Sequence, residues 1–396
     1  MVPRHHLVPV SIALAAATLS LAAASAEASS APTPALAAAQ SASTPAQYQL
    51  ASVCPSTVVV QTDWYPEADH SELYELAAPD GQINTDNKWY TADLIAHGHN
   101  TGVKIQIRIG GPAIGDQLVS AELYENTSIL LGYIGTDQAI QLSATQPTVA
   151  VVAPRLESPL EIEWSPAQHP TVKTIADLGK QGIKVLYFNG APYMSYLVGK
   201  GILKANQLDG SFDGTPSRWV SSGGAIAQQG FATADPYQYQ YTIKQWLKPI
   251  AFQLVSELGY DPYGDSLATL PANVTKYAAC FKKLVPIIQQ AQVDYAANPV
   301  PADTLIAKVV TAYNDGWDYT AGAAAFAAKA QLKDGLIANS PDGVLGDFDL
   351  SRVNALIKAV APIYAKEGKT PKAGLTAQDI VTNQFIDPSI HLPASA

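Results

Sequence analysis

The hydrophobic residues of this chain recur in short runs that alternate with amphipathic stretches through its first two thirds. Three β-branched residues in succession, Val58 to Val60, predict a buried strand over 58–62, and the strict alternation at 103–109 predicts a half-buried strand. Further strands are predicted at 128–134, 148–152, 183–188, 218–220 and 249–254. Helices are predicted near 70–77, 88–97, 114–125, 174–178, 194–200 and 224–229, and Gly135-Thr136-Asp137 opens another. Such an alternation is typical of an α/β fold.

This alternation pauses once and later gives way to helices. Prolines at 154, 159, 166 and 170 punctuate a polar stretch, which predicts a crossover into a second domain, and the strand at 249–254 returns the chain to the first. Helices are predicted at 272–296, 302–314, 320–332 and 351–365, the last capped by Asp349. We therefore predict two doubly wound α/β lobes and a helical C-terminal extension. Lobe I comprises 55–152 and 255–396, and lobe II comprises 153–254.

The N-terminal segment has the features of an export signal. Arg4 precedes an apolar run from Leu7 to Ala24, and small residues near 24–28 offer a cleavage site, so residues 1–28 are predicted to be a signal peptide. A retained membrane span is the weaker alternative, because Pro9 and small polar residues interrupt the run. Residues 29–54 are rich in Ala, Ser and Pro and predict a flexible linker. The mature protein is expected to be periplasmic or extracellular.

Charge and cysteine content narrow the classes of partner. The 396-residue chain has a formal net charge of -10 and no cluster of Lys or Arg, which disfavours a nucleic-acid partner. Cys54 and Cys280 are its only cysteines, and two cysteines in an exported protein usually form a disulfide. A lipid-anchored Cys54 is disfavoured, since Val53 is bulky where a small residue is needed.

Candidate chemistry is concentrated directly after the first strand. Asp63, Trp64, Tyr65 and His70 combine flat apolar rings with hydrogen-bonding groups, which suits a small planar polar ligand at the carboxyl end of a strand. Core packing of the two aromatic residues is the alternative, and His70 could equally orient a ligand or bond to a carboxylate. The pair His97 and His99 has metal-ligand spacing, but no further ligands complete a site. We predict no catalytic residue, no metal site and no cofactor.

The string Val59 to His70 resembles the opening strand and helix of a group of solute-binding proteins that serve ABC importers for thiamine-pyrimidine precursors and for nitrate, sulfonate and bicarbonate. The resemblance extends over roughly 58–365, through Gly110-Gly111, Asp177-Leu178 with Lys180, Asn189-Gly190-Ala191 and the helix start at 349–353. It implies the type II periplasmic-binding-protein fold, with two lobes and a two-strand hinge. The loop at 80–87 departs from the family pattern. The cysteine-rich metal motif of a related enzyme branch is absent, which disfavours that activity.

The resemblance also implies where a ligand binds. The implied ligand-binding residues are Asp63, Trp64, Tyr65, His70, Gly111, Pro112, Thr136, Asn189, Gly190, Ala191, Tyr193 and Asp235. We expect a monomeric binding protein, not an enzyme, that delivers a planar heterocycle such as a thiamine-pyrimidine precursor to a membrane ABC permease. A carboxylate at the site favours an amino group on that ligand.

Two alternatives stay open. Within the same class, the ligand could be an oxyanion such as a sulfonate or nitrate, with Arg108 or Arg218 as its counter-ion. From another class, the chain could be an exported α/β hydrolase, although it carries no nucleophile-elbow motif.

Overall fold

The computed structural model describes residues 44–394; the predicted signal peptide and most of the predicted linker lie outside them. The strands are β1 Thr57–Gln61, β2 Gln82–Asn84, β3 Trp89–Ala96, β4 His99–Arg108, β5 Leu131–Tyr133, β6 Val149–Val152, β7 Leu160–Trp164, β8 Val185–Leu186, β9 Leu208–Asp209, β10 Ala227–Phe231, β11 Ala251–Leu254 and β12 Leu267–Thr269. The helices are α1 Ser71–Glu75, α2 Val119–Glu125, α3 Thr136–Leu142, α4 Ile175–Gln181, α5 Pro192–Gly199, α6 Ser217–Ser221, α7 Asp235–Tyr237, α8 Pro271–Lys276, α9 Ala278–Ala297, α10 Val300–Tyr313, α11 Ala321–Lys333 and α12 Leu350–Lys366. Within this part of the chain, no helix is long and apolar enough to cross a membrane.

A seven-stranded sheet forms around β1, in the order β2-β3-β4-β1-β5-β12-β6. β1 lies between β4 and β5 and is parallel to both, so its C-terminal end, or exit, lies in the middle of the sheet. Val58 and Val60 pack into one hydrophobic core and Val59 into another, on the opposite face. A strand covered on both faces needs apolar residues at every position, which explains the unbroken Val-Val-Val run.

A second sheet has five strands in the order β11-β7-β10-β8-β9. β7 is antiparallel to both of its neighbours, whereas β8 is parallel to β9 and β10. The chain passes between the two sheets twice, once through 153–159 and once through 255–266.

The helix predicted near 88–97 is wrong: these residues form strand β3, which pairs with β4 as a hairpin. His97 and Gly98 form its tip with φ of 48° and 78°. Positive φ at both central residues is what a tight two-residue hairpin turn requires. Burial alternates along β3, with Tyr90, Ala92 and Leu94 inside the core. The alternation of Tyr90, Ala92 and Leu94 with partly exposed residues therefore indicates a strand more strongly than helix propensity indicates a helix.

Three further predictions fail in the second sheet. The helix predicted at 224–229 is strand β10, the strand predicted at 218–220 is helix α6, and the polar crossover at 154–170 contains strand β7. In β10 the buried Gln229 accepts hydrogen bonds from the Phe188 N–H and the Tyr193 hydroxyl. Polar side chains that are satisfied inside the sheet remove the apolar period by which strands are predicted.

Folded structure begins earlier than the predicted boundary at residue 55. Leu50 is fully buried, and its N–H donates to the Thr101 carbonyl. The structure pairs Cys54 with Cys280 of α9, which ties this N-terminal segment to the helices covering the first sheet.

The C-terminal helix α12 holds both connections between the sheets. Asp349 caps it, as predicted, by accepting from the Ser351 and Arg352 N–H groups. The Arg352 guanidinium donates to the Leu156 carbonyl in one connection and to Pro262 in the other. It also pairs with Asp261 and lies 4.1 Å from the centre of the Tyr263 ring. One side chain thus fastens the two crossings together.

We predict that the Cys54–Cys280 disulfide forms in the exported protein. Thiol titration of the unfolded, unreduced protein should find no free thiol, and two free thiols would contradict the pairing. Because the bridge spans 226 residues, the loop-entropy model gives an upper limit of about 5 kcal/mol for its stabilisation. Urea unfolding with and without reductant measures the actual value.

We predict that Glu157 makes stability depend on pH near neutrality. Burial raises the pKa of this carboxyl to about 7, with Arg352 opposing the rise and Asp261 adding to it. An acid with a raised folded-state pKa stabilises the protein when protonated, so its contribution is present below about pH 4.5 and lost as pH rises through 7. The melting temperature should therefore fall less steeply between pH 5 and 8 in Glu157→Gln. Equal slopes in parent and variant would contradict this.

Candidate functional site

An aromatic cluster lies where the C-terminal ends of strands from the two sheets meet. It consists of Trp64 and Tyr65 after β1, Phe188 after β8, and Trp317 between α10 and α11. Tyr65 and Trp317 are stacked, with ring centroids 5.2 Å apart and planes 8° apart. The Trp64 ring meets Phe188 edge-on at 5.7 Å and Trp317 at 6.4 Å. Residues that follow strands of different sheets therefore contact each other in this cluster.

Two glycines allow the backbone to approach the Trp64 indole. A Cβ added at Gly111, whose φ is +57°, would lie 2.6 Å from Cε3 of Trp64. A Cβ added at Gly214, whose φ is +78°, would lie 2.9 Å from Cη2. Any side chain at either glycine would displace the indole, so both positions require glycine for space as well as for conformation.

Asp63 is oriented from below by His70. His70 Nε2 lies 2.8 Å from Asp63 Oδ1, and the imidazole is buried against the Tyr133 ring at 4.7 Å. The Asp63 side chain keeps 43% of its surface exposed. Of the two roles predicted for His70, the structure shows the bond to a carboxylate. Asp63 is thus the polar group presented to solvent, and His70 positions it.

The surroundings of this pair are electronegative. Burial raises the pKa of Glu67 well above its usual range, and repulsion from Asp69 and Asp63 raises it further. Burial likewise raises the pKa of Tyr65, with added repulsion from nearby carboxylates. A bound ammonium or amino group would relieve this repulsion, whereas an anion would add to it.

The Asp69 carboxylate precedes helix α1 but does not cap it, because it belongs to a buried network around Arg155. Arg155 Nη1 donates to the Asp69 carbonyl at 2.6 Å and lies 3.1 Å from Asp69 Oδ1. The other guanidinium nitrogen pairs with Asp265. The Thr233 hydroxyl, which follows β10, donates to Asp69 Oδ2 at 3.0 Å. The network joins the region after β1, both connections and the second sheet.

The structure places the predicted lobe II residues 189–191 directly after Phe188, beside the aromatic cluster. Asn189 and Gly190 are exposed, and Ala191 precedes α5. A Cβ added at Gly190 would lie 3.9 Å from Lys369 Nζ, so an ammonium group is near this turn. On the first sheet, Pro112 is exposed beside Gly111.

Three predicted ligand residues make structural contacts instead. The buried Thr136 hydroxyl accepts from the Tyr263 N–H at 3.0 Å. The buried Tyr193 hydroxyl donates to Gln229 of β10 in the second sheet. Asp235 accepts from the Phe231 N–H at 2.7 Å and lies beside two buried glutamates of β7. These three hydrogen bonds run to residues outside the aromatic cluster.

Both arginines predicted as counter-ions for an oxyanion are engaged elsewhere. The Arg108 guanidinium lies 4.1 Å from the Trp89 ring centre and donates to Gln106. Arg218 pairs with Asp209 at 2.7 Å.

His97 and His99, which have metal-ligand spacing in the sequence, make separate contacts. His97 pairs with Asp294 at 3.3 Å, and His99 stacks on Tyr48. A cavity of about 530 Å³ opens beside this hairpin and is lined in part by Glu75, His97 and Asp294. None of the predicted ligand-binding residues lines it.

Sequence patterns gave no warning of Phe188, Trp317 or Arg155 as parts of this region. Phe188 ends an apolar strand and appeared to be core, and Trp317 lies in a loop about 250 positions from Trp64. Arg155 among prolines suggested a crossover only. A buried arginine needs partners, but the chain offers many carboxylates and the sequence does not say which.

Several solved structures share this architecture. The alkanesulfonate-binding protein SsuA from Xanthomonas axonopodis pv. citri matches with a TM-score of 0.53 and 14% identity, over 83% of this chain and 99% of that one. The periplasmic aliphatic sulphonate-binding protein SsuA from Escherichia coli matches with 0.53 and 17%, over 86% and 95%. The periplasmic nitrate-binding protein NrtA from Synechocystis PCC 6803 matches with 0.51 and 10%, over 83% and 87%.

No model of a known protein family matches the chain, and neither does any curated protein. At these identities the structural matches show the fold alone. The predicted fold class, the two-lobed periplasmic-binding-protein architecture, is confirmed.

We predict that Arg155 is essential for stability. Arg155→Leu would leave the Asp69 and Asp265 carboxylates without their partner in a buried place, at a cost of about 3–5 kcal/mol. Arg218→Leu, which breaks an ion pair with 45% of the arginine side chain exposed, is the matched control and should cost much less than Arg155→Leu, because water screens an exposed ion pair. Urea unfolding measures both, and equal losses would refute the assignment.

Proposed function

We propose that this chain, which has the periplasmic-binding-protein fold, is an exported solute-binding protein of an ABC importer. The observation that carries the proposal is the aromatic cluster, in which rings after β1 and β8 meet across the two sheets beside the half-exposed Asp63. Ligands of open α/β sheets bind at such strand exits. The solved structures named above that share this fold are binding proteins, which supports a function in ligand binding rather than in catalysis.

We propose a planar heterocycle with an amino group, such as a thiamine-pyrimidine precursor, as the ligand. Trp64 and Phe188 offer flat apolar faces, and Asp63 offers a carboxylate held by His70. A ring stacked on the indole would place an amino donor within reach of that carboxylate. The repulsion among Glu67, Asp69 and Asp63 favours a ligand that brings positive charge.

Ligand entry requires the two sheets to move apart at this point. Trp64 contacts Phe188 directly in the structure, so a ligand between them would have to replace that contact. Separation about the connections at 153–159 and 255–266 would expose both rings, and closure would enclose the ligand. The contact between Trp64 and Phe188 thus stands where a stacked ligand would lie.

A second candidate ligand is an oxyanion, such as a sulfonate or nitrate. The observation that favours it is the Lys369 ammonium beside the Gly190 turn, which precedes α5. The sulfonate- and nitrate-binding proteins that share the fold also favour it. Against it stands the half-exposed Asp63 carboxylate, which would repel an anion.

The rest of the proposal concerns partners and location. The N-terminal residues 1–28 would direct export, and the mature protein would deliver its ligand, as a monomer, to a membrane permease. Mass spectrometry under native conditions of the protein with any copurified small molecule would identify the ligand directly.

We predict that two variants separate the ligand classes. Trp64→Ala should weaken binding of either class at least tenfold, or about 1.4 kcal/mol, because it removes the stacking face. Asp63→Asn should cost about 1.5–3 kcal/mol for an amino-bearing ligand, since it removes a charge-assisted hydrogen bond with little change in shape. For an oxyanion the same change should be neutral or should tighten binding.

Titration calorimetry with an aminopyrimidine, an alkanesulfonate and nitrate measures these effects. Trp89→Ala and Asp86→Asn are controls that make the same substitutions away from the aromatic cluster, and they should bind like the parent. If Trp64→Ala and Asp63→Asn both melt and bind like the parent, the aromatic cluster is core packing and the proposed site is wrong.

A further inference from the structure

Strand β7 carries two glutamates on a buried face. Glu161 and Glu163 alternate with Leu160, Ile162 and Trp164, a pattern typical of a strand with one solvated face. Both glutamates are nevertheless fully buried. Side chains two positions apart on a strand share a face, so the two carboxylates lie side by side within the second sheet.

A third carboxylate completes the group. One carboxylate oxygen from each of Glu161, Glu163 and Asp235 lies within 4.8 Å of the other two. Gly230 of β10 is paired with Glu161 of β7, and its backbone bounds the space between the three carboxylates. A Cβ at Gly230 would lie 2.7 Å from Asp235 Oδ2 and 2.8 Å from Glu163 Oε2, so only glycine leaves this space open.

The oxygen atoms around this space lack partners. Both carboxylate oxygens of Glu161 and Oε2 of Glu163 are buried and accept no hydrogen bond. Outside the triad, Gln228 pairs with Glu163 across the ladder and is 1% exposed. Its amide nitrogen donates to Glu163 and to the Tyr239 hydroxyl, while its Oε1 is also buried without a partner. Four acceptor atoms with no donor therefore lie in one small region.

Two fully buried carboxylates and a third that is only partly exposed cannot all stay charged without compensation. Among residues 44–394, no salt bridge reaches Glu161, Glu163 or Asp235. Burial, reinforced by Asp235, raises the pKa of both glutamates well above the usual range, and burial raises the pKa of Asp235 to about 6. Either protons or a cation must supply the missing positive charge.

We propose that Glu161, Glu163 and Asp235 bind a divalent cation of the calcium type, with the Gln228 side-chain oxygen as a further ligand. All four ligand atoms would be oxygens, which hard cations prefer. Calcium–oxygen distances of about 2.4 Å place ligands on opposite sides of the ion about 4.8 Å apart, so the observed spacing needs no large movement. The site is separate from the aromatic cluster and does not depend on the proposed ligand.

Such an ion would fasten a segment of the second half of the chain. Asp235 starts the stretch that covers this face of the sheet, where Trp219, Tyr239 and Trp246 pack together. An ion shared by β7 and Asp235 would tie that stretch to the sheet. Asp235 is partly exposed and offers the entry route for the ion.

The first test uses the wild-type mature protein, dialysed against a chelator. Addition of millimolar CaCl2 should raise its melting temperature saturably by at least about 3 °C, and calorimetry should give one Ca²⁺ per chain. Terbium, which replaces calcium, should show luminescence sensitised by the neighbouring Tyr239 and be displaced by calcium. No calcium binding by calorimetry together with no melting shift would overturn the proposal and leave protons as the compensating charge.

The second test uses matched variants. Glu163→Gln and Asp235→Asn each remove one charge with little change in shape, and each should weaken calcium binding at least tenfold and abolish the terbium signal. Glu125→Gln, the same change at the exposed last residue of α2, should respond to calcium like the parent. A calcium response that survives unchanged in Asp235→Asn would place the ion elsewhere and overturn the assignment. If Glu163→Gln does not fold, Asp235→Asn alone decides.

Discussion

The buried guanidinium of Arg155 is the interaction on which the arrangement of the two sheets depends. Its partners Asp69 and Asp265 come from the region after β1 and from the second connection, and Thr233 extends the network to the exit of β10. A guanidinium removed from water is tolerated only where carboxylates compensate its charge, so these ion pairs hold the segments in one arrangement. Arg352 of α12 also donates hydrogen bonds to both connections between the sheets. Two arginines, rather than an apolar interface alone, thus define where the strand exits meet.

The parts of the fold that the sequence predicts well are those whose signals are local. The Val58 to Val60 run predicts β1, and Asp349 predicts the start of α12, because burial on both faces and capping each leave a mark within a few residues. β10 leaves no such mark, because its buried Gln229 is polar and its hydrogen-bond partners Phe188 and Tyr193 come from other segments. A strand whose polar residues are satisfied by tertiary contacts cannot be distinguished from a loop by its pattern of hydrophobic residues. In β7 the glutamates alternate with apolar residues, which predicts a solvated face, whereas the structure buries Glu161 and Glu163.

The residues of the candidate site also differ in whether local sequence signals predict them. Asp63 and Trp64 follow a recognisable strand, and their position at its exit could be predicted. Phe188 and Trp317 approach them only through the fold, and nothing near either residue in the chain indicates that neighbour. The resemblance placed Asp235 at the ligand. The structure instead turns its carboxylate toward β7, because the Phe231 N–H holds it there.

The two acidic regions of the molecule have different consequences because water reaches only one of them. Asp63 is held by His70 and is half exposed, so its carboxylate is available to a ligand. Glu161 and Glu163 are removed from water, so they must either take up protons and become neutral or have their charge compensated by a cation. The Arg155 guanidinium pairs with Asp69 and Asp265 and not with Asp63, Glu161 or Glu163. The acidic groups near the end of β1 are therefore the reason why we propose a ligand with an amino group rather than an anion.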